Sequence, residues 1–297
     1  MYISPAAASP YSQAVAESIE EVAEAENAEV TIVDSQVDPQ KQRAALQDAV
    51  QSQRYDAIIL QPIDPVSAVP AVAEAKAAGL KVGITSQPLG PDTTTADPQV
   101  DGVQVSVLTP PSTWGATLGE AATQACGSID PCKIGYLFGI KAVPTDIVGR
   151  KAFDEVIAKS SSIEVAAEGE SQYSATGGLK ATQNMLQANP DIDVLVANAD
   201  QGAAGAERAI KAAGLQGEIK IVGLGAGKTG VSGVRDGRWF ATVITEPRTE
   251  GRLAMEGVLA AVREGKVTGG IDPLDKHDNH GILTKDNVES FRPQWDG

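Results

Sequence analysis

The pattern of apolar and polar positions is clearest between residues 54 and 87, where two short apolar runs flank a segment of helical periodicity. Ala57–Leu60 is continuously apolar, as a strand buried on both faces requires. Residues 66–78 are Ala-rich with apolar side chains at helical spacing, and an extended run resumes at Lys81–Thr85. Two strands joined through a helix lie parallel in one sheet, and ligands bind at the carboxyl ends of such strands. The polar residues that follow these strands, residues 61–64 with Ser86 and Gln87, are therefore the first candidates for a binding site.

The same rhythm continues along the chain in two series. The first series adds expected strands at residues 2–4, 30–33 and 103–107 and expected helices at 12–25 and 38–53, which together make one doubly wound lobe. The second series begins after Pro110 and Pro111. Its expected helices span residues 117–125, 147–159, 178–188 and 202–213, and its expected strands span 133–138, 163–166, 193–197 and 220–223. This pattern predicts a second lobe of the same kind.

The last part of the chain predicts a strand at residues 241–245, a helix at 250–264 and a polar tail. The helix repeats the Ala-rich pattern of the first series, so we expect the chain to cross back to the first lobe. Two lobes linked by more than one crossing form a hinge with a cleft, which is the default ligand site. We therefore predict an α/β fold of two doubly wound parallel-sheet lobes joined by a multi-strand hinge. The predicted lobes are 1–108 plus 246–279 and 109–245 plus 280–297.

Composition supports this class and argues against several functions. The chain has 297 residues, of which 42% are hydrophobic and only 4% aromatic, so its core is expected to consist of Ala, Val, Ile and Leu. A net charge of -15 argues against nucleic acid or an anionic membrane surface as partner. No apolar run approaches the ~20 residues that cross a bilayer. The first residues lack the charged and apolar regions of a secretory signal, so we expect a soluble chain from which a signal segment is absent.

The two cysteines, Cys126 and Cys132, enclose Gly127 and Pro131, which allow the chain to turn back and bring the sulfurs within disulfide reach. A disulfide and a pair of buried thiols both fit this spacing. A disulfide would indicate an oxidising compartment outside the cytoplasm. Redox catalysis is not expected, because a redox-active pair usually has CxxC spacing.

Signatures of catalysis and metal binding are missing from the sequence. It contains no HExxH, CxxC or GxSxG motif, and its two histidines, His277 and His280, lie in a polar run that we interpret as an exposed turn. The glycine-rich run at residues 223–227 lacks the ending of a phosphate-binding loop and the spacing of a dinucleotide fingerprint. We therefore expect no enzymatic activity, no cofactor and no metal. Trp239 and Trp295 occur in polar settings and are expected to be peripheral.

Several stretches together resemble the type I periplasmic solute-binding proteins of sugar ABC transporters, in particular the ribose-binding branch. These are YDAIILQPID at residues 55–64, NPDID at 189–193, NADQGAAGA at 198–206, and residues 74–82, 221–223 and 236–243. The resemblance covers nearly the whole chain and implies a clamp that closes on one small polar ligand. In such a site aromatic rings pack on the apolar sugar faces, while polar groups bond the hydroxyls.

Individual positions of the family can be carried over to this chain. Tyr11, and Tyr173 in the other lobe, correspond to family aromatic positions, but several charged positions differ. Ser86 and Gln87 replace an Asp–Arg pair, Ala199 replaces an Asn beside Asp200, Gly225 replaces an Asp, and Thr245 beside Glu246 replaces a Gln. The family's Arg after the first strand of the second lobe is not cleanly matched, and Lys141 or Asp146 is expected in its role. The predicted ligand-binding residues are Ser9, Tyr11, Ser86, Gln87, Trp114, Lys141, Asp146, Tyr173, Asn198, Asp200, Gly225, Thr245 and Glu246. For Asp200 we favour capping of the following helix over ligand contact.

These replacements make burial of a common aldopyranose costly, at ~1 to 3 kcal/mol for each unsatisfied partner. A polyol, a deoxy sugar, a cyclic sugar-derived signal or an aromatic compound is therefore expected. The resemblance implies a monomeric solute-binding component of an ABC importer, in the periplasm or as a cell-surface lipoprotein, with a membrane permease as partner. The alternative is a ligand-sensing protein, either a chemoreceptor or signal partner or the effector core of a repressor, that binds a less polar or non-sugar molecule. A repressor would need an N-terminal DNA-binding domain, whereas this chain begins with an expected strand.

Overall fold

The computed structural model describes residues 1–297 and divides into two compact units. The first unit contains residues 1–110 and 246–275, and the second contains residues 111–245 and 276–297. Each unit has its own sheet and its own apolar core. No helix in either unit combines the length and the apolar character that a membrane crossing requires.

The elements follow one another in the order that the periodicity predicts. The first run consists of β1 (Tyr2–Ser4), α1 (Pro10–Ala25), β2 (Ile32–Asp34), α2 (Pro39–Ser52), β3 (Ala57–Leu60), α3 (Val69–Ala77), β4 (Lys81–Thr85) and β5 (Val103–Val107). The second run consists of α4 (Pro111–Cys126), β6 (Cys132–Phe138), α5 (Pro144–Ile157), β7 (Ile163–Glu170), α6 (Ala175–Ala188), β8 (Val194–Ala197), α7 (Asp200–Ala212), β9 (Lys220–Gly225), α8 (Lys228–Arg235) and β10 (Ala241–Ile244). The chain ends with α9 (Pro247–Glu264), β11 (Gly269–Ile271) and β12 (Ile282–Thr284), together with three short 3-10 helices at Pro273–Lys276, Asp278–Gly281 and Val288–Ser290.

Both sheets are six-stranded and mostly parallel. The first has the order β11-β5-β4-β3-β1-β2, and all of its pairs are parallel. The second has the order β12-β10-β9-β8-β6-β7, in which only the edge strand β12 runs antiparallel to its neighbour. Helices cover the faces of both sheets, which is why the central strands are buried apolar runs. The α/β class predicted from the hydrophobic pattern is confirmed.

Helix starts differ from the predictions in a systematic way. Five helices begin at a proline: Pro10, Pro39, Pro111, Pro144 and Pro247. Proline suits the first helical position, because its φ angle is already helical. It also lacks an N–H, which at this position would have no acceptor within the helix. The predictions did not use proline as a start signal and placed four of the five starts too late, most of all for α4, which was expected from residue 117 and begins at Pro111.

The interpretation of the C-terminal region was wrong in two respects. Residues 265–297 are not a featureless polar tail, since they contribute the edge strands β11 and β12 to the two sheets. Trp239 and Trp295 are not peripheral, because they are only 2% and 7% exposed. Trp239 Nε1 donates to Glu207 Oε2 at 2.8 Å, and Trp295 Nε1 donates to the Gly225 carbonyl at 3.1 Å. Both rings lie against glycines, which provide space that the sequence pattern does not reveal.

Cys126 and Cys132 form a disulfide, with their Cα atoms 5.8 Å apart. It joins the last residue of α4 to the first residue of β6, and both cysteines are buried in the core of the second unit. Of the two alternatives that the sequence left open, the structure contains the disulfide.

Reduction of this disulfide should destabilise the second unit by ~2 kcal/mol, because the bond closes a short loop and so restricts the unfolded chain. The three tryptophans, Trp114, Trp239 and Trp295, all lie in this unit, so their fluorescence reports its unfolding. We expect dithiothreitol to lower the Tm measured by tryptophan fluorescence, and to have no effect on the double variant C126S/C132S. An unchanged wild-type Tm in reductant would show that the bond contributes nothing to stability.

Candidate ligand-binding site

The predicted ligand-binding residues fall into two groups, one in each unit. The first unit contains Ser9, Tyr11, Ser86, Gln87 and Glu246, and the second contains Trp114, Lys141, Asp146, Tyr173, Asn198, Asp200, Gly225 and Thr245. Most of them follow the carboxyl end of a parallel strand or lie in the first turn of the next helix. This is the edge of a doubly wound sheet at which ligand sites form.

Tyr11 and Ser86 meet at a buried carboxyl in the first unit. Tyr11 lies in the first turn of α1, Ser86 follows β4, and Glu250 lies in the first turn of α9. The Tyr11 hydroxyl donates to Glu250 Oε2 at 2.8 Å, and the Ser86 hydroxyl donates to the same oxygen at 2.6 Å. Gly251 allows this arrangement, because a Cβ atom there would lie 2.4 Å from the Val15 carbonyl oxygen and would push α9 away from α1.

The environment of Glu250 keeps the carboxyl largely uncharged at neutral pH. The side chain is 3% exposed, and burial raises its pKa to about 8, with the nearby carboxylates of Glu246 and Asp272 adding to the shift. The hydroxyls of Ser86 and Tyr11 oppose this shift by bonding the carboxyl. Burial, followed by the charge of Glu250, raises the pKa of Tyr11 well above its ordinary value. Sequence reasoning missed Glu250, since no local pattern distinguishes it from a helix residue on a solvent face.

The other predicted residues of the first unit surround this cluster. Ser9 is the N-cap residue of α1, but its side chain makes no capping hydrogen bond. Gln87 is half-buried, and its Oε1 atom is buried without a partner in the protein. An acceptor in this position suits a ligand hydroxyl. Glu246 is the N-cap residue of α9.

Tyr173 and Asp146 form a similar pair in the second unit. The Tyr173 ring lies directly over Gly139, where a Cβ atom would come within 2.1 Å of the ring. Its hydroxyl donates to Asp146 Oδ1, and Asp146 Oδ2 also accepts from the Ile140 N–H at 2.7 Å. Asp146 is 1% exposed and burial raises its pKa, whereas Tyr173 as a residue is 42% exposed. Tyr173 has a φ angle of 49°, a strained value for a residue with a side chain, so its side chain is held in place by its surroundings.

Asn198 lies beside this pair, directly after β8. Its Oδ1 atom accepts from the Tyr136 hydroxyl at 2.5 Å. Its Nδ2 atom is buried without a partner in hydrogen-bond geometry, although the amide is close enough to Asp146 to lower the pKa of that carboxyl. The second unit thus presents an aromatic ring, a buried carboxyl and a buried amide donor within one neighbourhood.

Asp200 is bonded within the protein. It is fully buried, and its two carboxylate oxygens accept from the Thr242 hydroxyl at 2.9 Å and from the Gly227 N–H at 3.0 Å. The expectation that it caps its own helix is wrong, because Ala199 is the N-cap residue of α7 and no side-chain cap is present. Burial raises the pKa of Asp200 to about 7.

The glycine-rich run at residues 223–227 leaves space for buried side chains from other parts of the chain. A Cβ atom at Gly223, Gly225 or Gly230 would lie 2.5, 2.9 or 2.3 Å from an oxygen of Asp200. Gly225 also lies against the Trp295 ring and has a φ angle of 148°. Lys228, at the end of this run, pairs with Asp296 at 2.6 Å. These contacts explain the glycines without a bound phosphate.

Three further predicted residues have contacts within the second unit. Lys141 Nζ pairs with Glu168 at 3.0 Å, and the Thr245 hydroxyl donates to the carbonyl of Gly225 at 3.0 Å. Trp114 is half-buried, and its ring lies against Gly149. Ligand contacts by these residues remain predictions.

A pocket of about 490 Å³ opens at the opposite edge of the second sheet, where β9 and β10 begin. Its basic residues already have partners in the protein. Arg238 pairs with Glu207, Lys220 Nζ donates to the carbonyl of Ala125, and Lys285 Nζ donates to the carbonyl of Arg235. The pocket contains none of the predicted ligand-binding residues.

Comparison with known proteins identifies the family. Residues 1–266 match the model of the periplasmic binding protein domain. The chain belongs to the periplasmic binding protein family. Among curated proteins, it is 27% identical to the ribose import binding protein of Bacillus subtilis over 247 residues, which is 83% of this chain and 76% of that protein. It is also 27% identical to the xylitol-binding protein of Mycolicibacterium smegmatis over 248 residues, which is 83% of this chain and 66% of that protein.

Solved structures show the same two-lobed fold. One is an ABC transporter solute-binding protein from Mycobacterium smegmatis with bound glycerol, which has a TM-score of 0.83 and 24% identity and covers 100% of this chain and 98% of its own. Another is a solute-binding protein from Bacillus halodurans with bound myo-inositol, which has a TM-score of 0.83 and 22% identity and covers 97% and 94% of the two chains. These likenesses confirm the predicted fold class. The family membership confirms the resemblance found in the sequence. Members of this family are binding proteins rather than enzymes, and the membership implies an extracytoplasmic location.

Proposed function

We propose that this periplasmic binding protein is the solute-binding component of an ABC importer and that it binds one small neutral, hydroxyl-rich solute. The observation that carries this proposal is the repeated tyrosine–carboxyl pair at the carboxyl ends of the strands. Tyr11 bonds Glu250 in the first unit, and Tyr173 bonds Asp146 in the second. Each ring is therefore fixed through its hydroxyl, and we assign a face of each ring to packing on the ligand.

The polar groups around the two rings suit hydroxyls. The Gln87 Oε1 atom can accept a hydrogen bond, and the Asn198 Nδ2 atom can donate one. Buried polar atoms of this kind favour a ligand that satisfies them and reject one that does not. An apolar ring face beside such atoms matches a polyol or a monosaccharide, whose C–H faces are apolar and whose hydroxyls require partners.

The charges near these residues favour a neutral ligand over an anionic one. Neither Glu250 nor Asp146 supplies positive charge, and the nearby Lys141 is paired with Glu168. An anionic ligand would need a cation that is not already engaged. The relatives named for ribose and xylitol, and the neighbours solved with glycerol and myo-inositol, all concern neutral, hydroxylated molecules.

Partner, assembly and location follow from the same proposal. We infer a monomer that delivers its ligand to a membrane permease and resides in the periplasm or at the cell surface. The disulfide between Cys126 and Cys132 supports an oxidising location. The boundaries of the two lobes, placed after residues 108, 245 and 279, remain a prediction.

A thermal-shift screen tests this function and identifies a ligand. The panel contains D-ribose, D-allose, xylitol, myo-inositol and glycerol, with D-gluconate as the anionic control. A compound that binds only the folded protein raises its stability by about 2.7 kcal/mol at a concentration of 100 times Kd. We expect at least one neutral compound to raise Tm and gluconate to leave it unchanged. A shift with gluconate alone would contradict the proposed ligand class.

A further inference from the structure

Glu250 occupies an unusual position for a carboxyl. The other buried residues of α9 include Gly251, Ala254, Met255 and Val258, and Glu250 is the only ionisable one among the buried residues of this helix. Burial of a carboxyl in such a setting costs several kcal/mol unless hydrogen bonds compensate for lost water. An apolar side chain of similar size would pack on the same face of α9 without this cost.

The hydrogen bonds of Glu250 lead to two residues that the sequence had already assigned to ligand binding. Its Oε2 atom accepts from both Tyr11 and Ser86, which lie 239 and 164 residues away along the chain. Tyr11 comes from α1 and Ser86 from the end of β4, so one carboxyl joins two separate elements at the same edge of the sheet. Ser86 also has a φ angle of 65°, which is strained for a serine and fits a side chain held by a strong partner.

We propose that Glu250 is a positioning residue of the binding surface in the first unit, and that its carboxyl holds the Tyr11 ring and the Ser86 hydroxyl in the orientation in which they meet the ligand. This role rests on the binding function proposed above. It accounts for a carboxyl at a site where packing alone calls for an apolar residue. It also suggests what takes the place of the family's Asp–Arg pair in this chain, since the Ser86 hydroxyl is held by a carboxyl from α9.

The groups around Glu250 predict how binding depends on pH. Glu246 on its own helix and Asp272 after β11 are acidic, while Tyr11 from α1 and Tyr2 from β1 are neutral phenols. Arg248, also on α9, is paired with Glu17 and Glu21 on the exposed side of α1. A neutral ligand over Tyr11 and Ser86 displaces water from the surroundings of Glu250 and so raises its pKa beyond the value of about 8 in the free protein. Binding therefore takes up a proton above pH 8, and affinity falls as the pH rises.

Calorimetric titrations with xylitol, D-ribose and myo-inositol between pH 6 and 9.5 test this role in four variants. Glu250→Gln keeps an acceptor oxygen and should bind within about threefold of wild type at pH 7, whereas Glu250→Leu should lose roughly tenfold or more, because it removes the carboxyl that both hydroxyls bond. Wild-type affinity should fall by about threefold or more between pH 7 and 9.5, while that of Glu250→Gln stays nearly constant.

Glu256→Leu is the matched control, since Glu256 is an exposed residue of α9 paired with Arg252, and it should leave affinity and pH profile unchanged. Ser86→Ala removes one of the two bonds without altering α9 and should weaken binding even if Glu250→Leu fails to fold.

The outcomes separate this role from the binding function. If wild type binds none of the three probes, the proposed function fails and the positioning role fails with it. If wild type binds a probe but Glu250→Leu and Ser86→Ala bind it equally well, and the pH profiles of wild type and Glu250→Gln coincide, the positioning role alone is wrong. Loss of affinity in Glu250→Leu with recovery in Glu250→Gln, together with a flattened pH profile, supports it.

Discussion

Asp200→Ala should lower the free energy of unfolding of the second unit by roughly 2 to 5 kcal/mol, the largest single effect that we expect. The substitution leaves the Gly227 N–H and the Thr242 hydroxyl without an acceptor in a fully buried site. It also opens space between Gly223, Gly225 and Gly230, whose missing Cβ atoms make room for the carboxyl. Denaturant unfolding followed by tryptophan fluorescence measures this effect, because the tryptophans all lie in the second unit.

Asp200→Asn is the matched control, because its amide fills the same space and retains an acceptor oxygen. We expect it to lose less than half as much stability as Asp200→Ala. The pKa of Asp200 rises from 3.8 in the unfolded chain to about 7 in the folded protein. The contribution of this group to the free energy of unfolding is therefore complete below pH 4 and declines as the pH rises to 7. This part of the pH dependence should disappear in Asp200→Asn. A loss below about 1 kcal/mol for Asp200→Ala would show that the carboxyl is not part of the core.

Tyr11→Ala and Tyr173→Ala should each weaken binding of the solute found in the thermal-shift screen by roughly tenfold or more, the loss expected when a packed aromatic ring is removed. Each ring is anchored by a buried carboxyl, and Tyr173 as a residue is 42% exposed. Calorimetric titration of each variant measures the change in Kd.

Three controls separate ring packing from folding. Tyr173→Phe keeps the ring but loses the bond to Asp146, so its binding should fall between wild type and Tyr173→Ala. Tyr55→Ala removes a half-buried tyrosine that precedes β3, at the other end of the strands, and should not change Kd. Circular dichroism should give the variants melting curves with the wild-type shape. Unchanged affinity in both Tyr11→Ala and Tyr173→Ala would exclude these rings from the ligand site.

The fold could be predicted because parallel strands leave a strong local signal. Ala57–Leu60, Lys81–Thr85 and Val103–Val107 were predicted with their observed limits, since each is an extended run that ends at turn or polar residues. Helix α8 was not predicted, because Gly230 and Gly233 interrupt its pattern. These glycines are required by Asp200 and Trp239, which come from other parts of the chain.

The site was harder to predict because its organisation depends on contacts between distant residues. Tyr11, Asp146 and Tyr173 came from a resemblance to a known family, whereas Ser86 was first predicted from its position after a strand. The structure shows that these residues form two clusters. Glu250 could not be found in this way, since its partners are known only once α9 is seen to pack against α1. Burial of Trp295 was missed for the same reason, as its ring and N–H are accommodated by Gly225.

Isothermal titration calorimetry of the wild-type protein at pH 7 tests the binding of one neutral, hydroxylated solute most directly. The titrants are the neutral compounds of the screen, with D-gluconate as the anionic control. We predict a saturable heat with at least one neutral compound, a stoichiometry of about one molecule per chain and a Kd in the micromolar range or below, which corresponds to about -8 kcal/mol or more favourable binding. The absence of a saturable heat with every neutral compound, or conversion of a compound into product during the titration, would contradict this function.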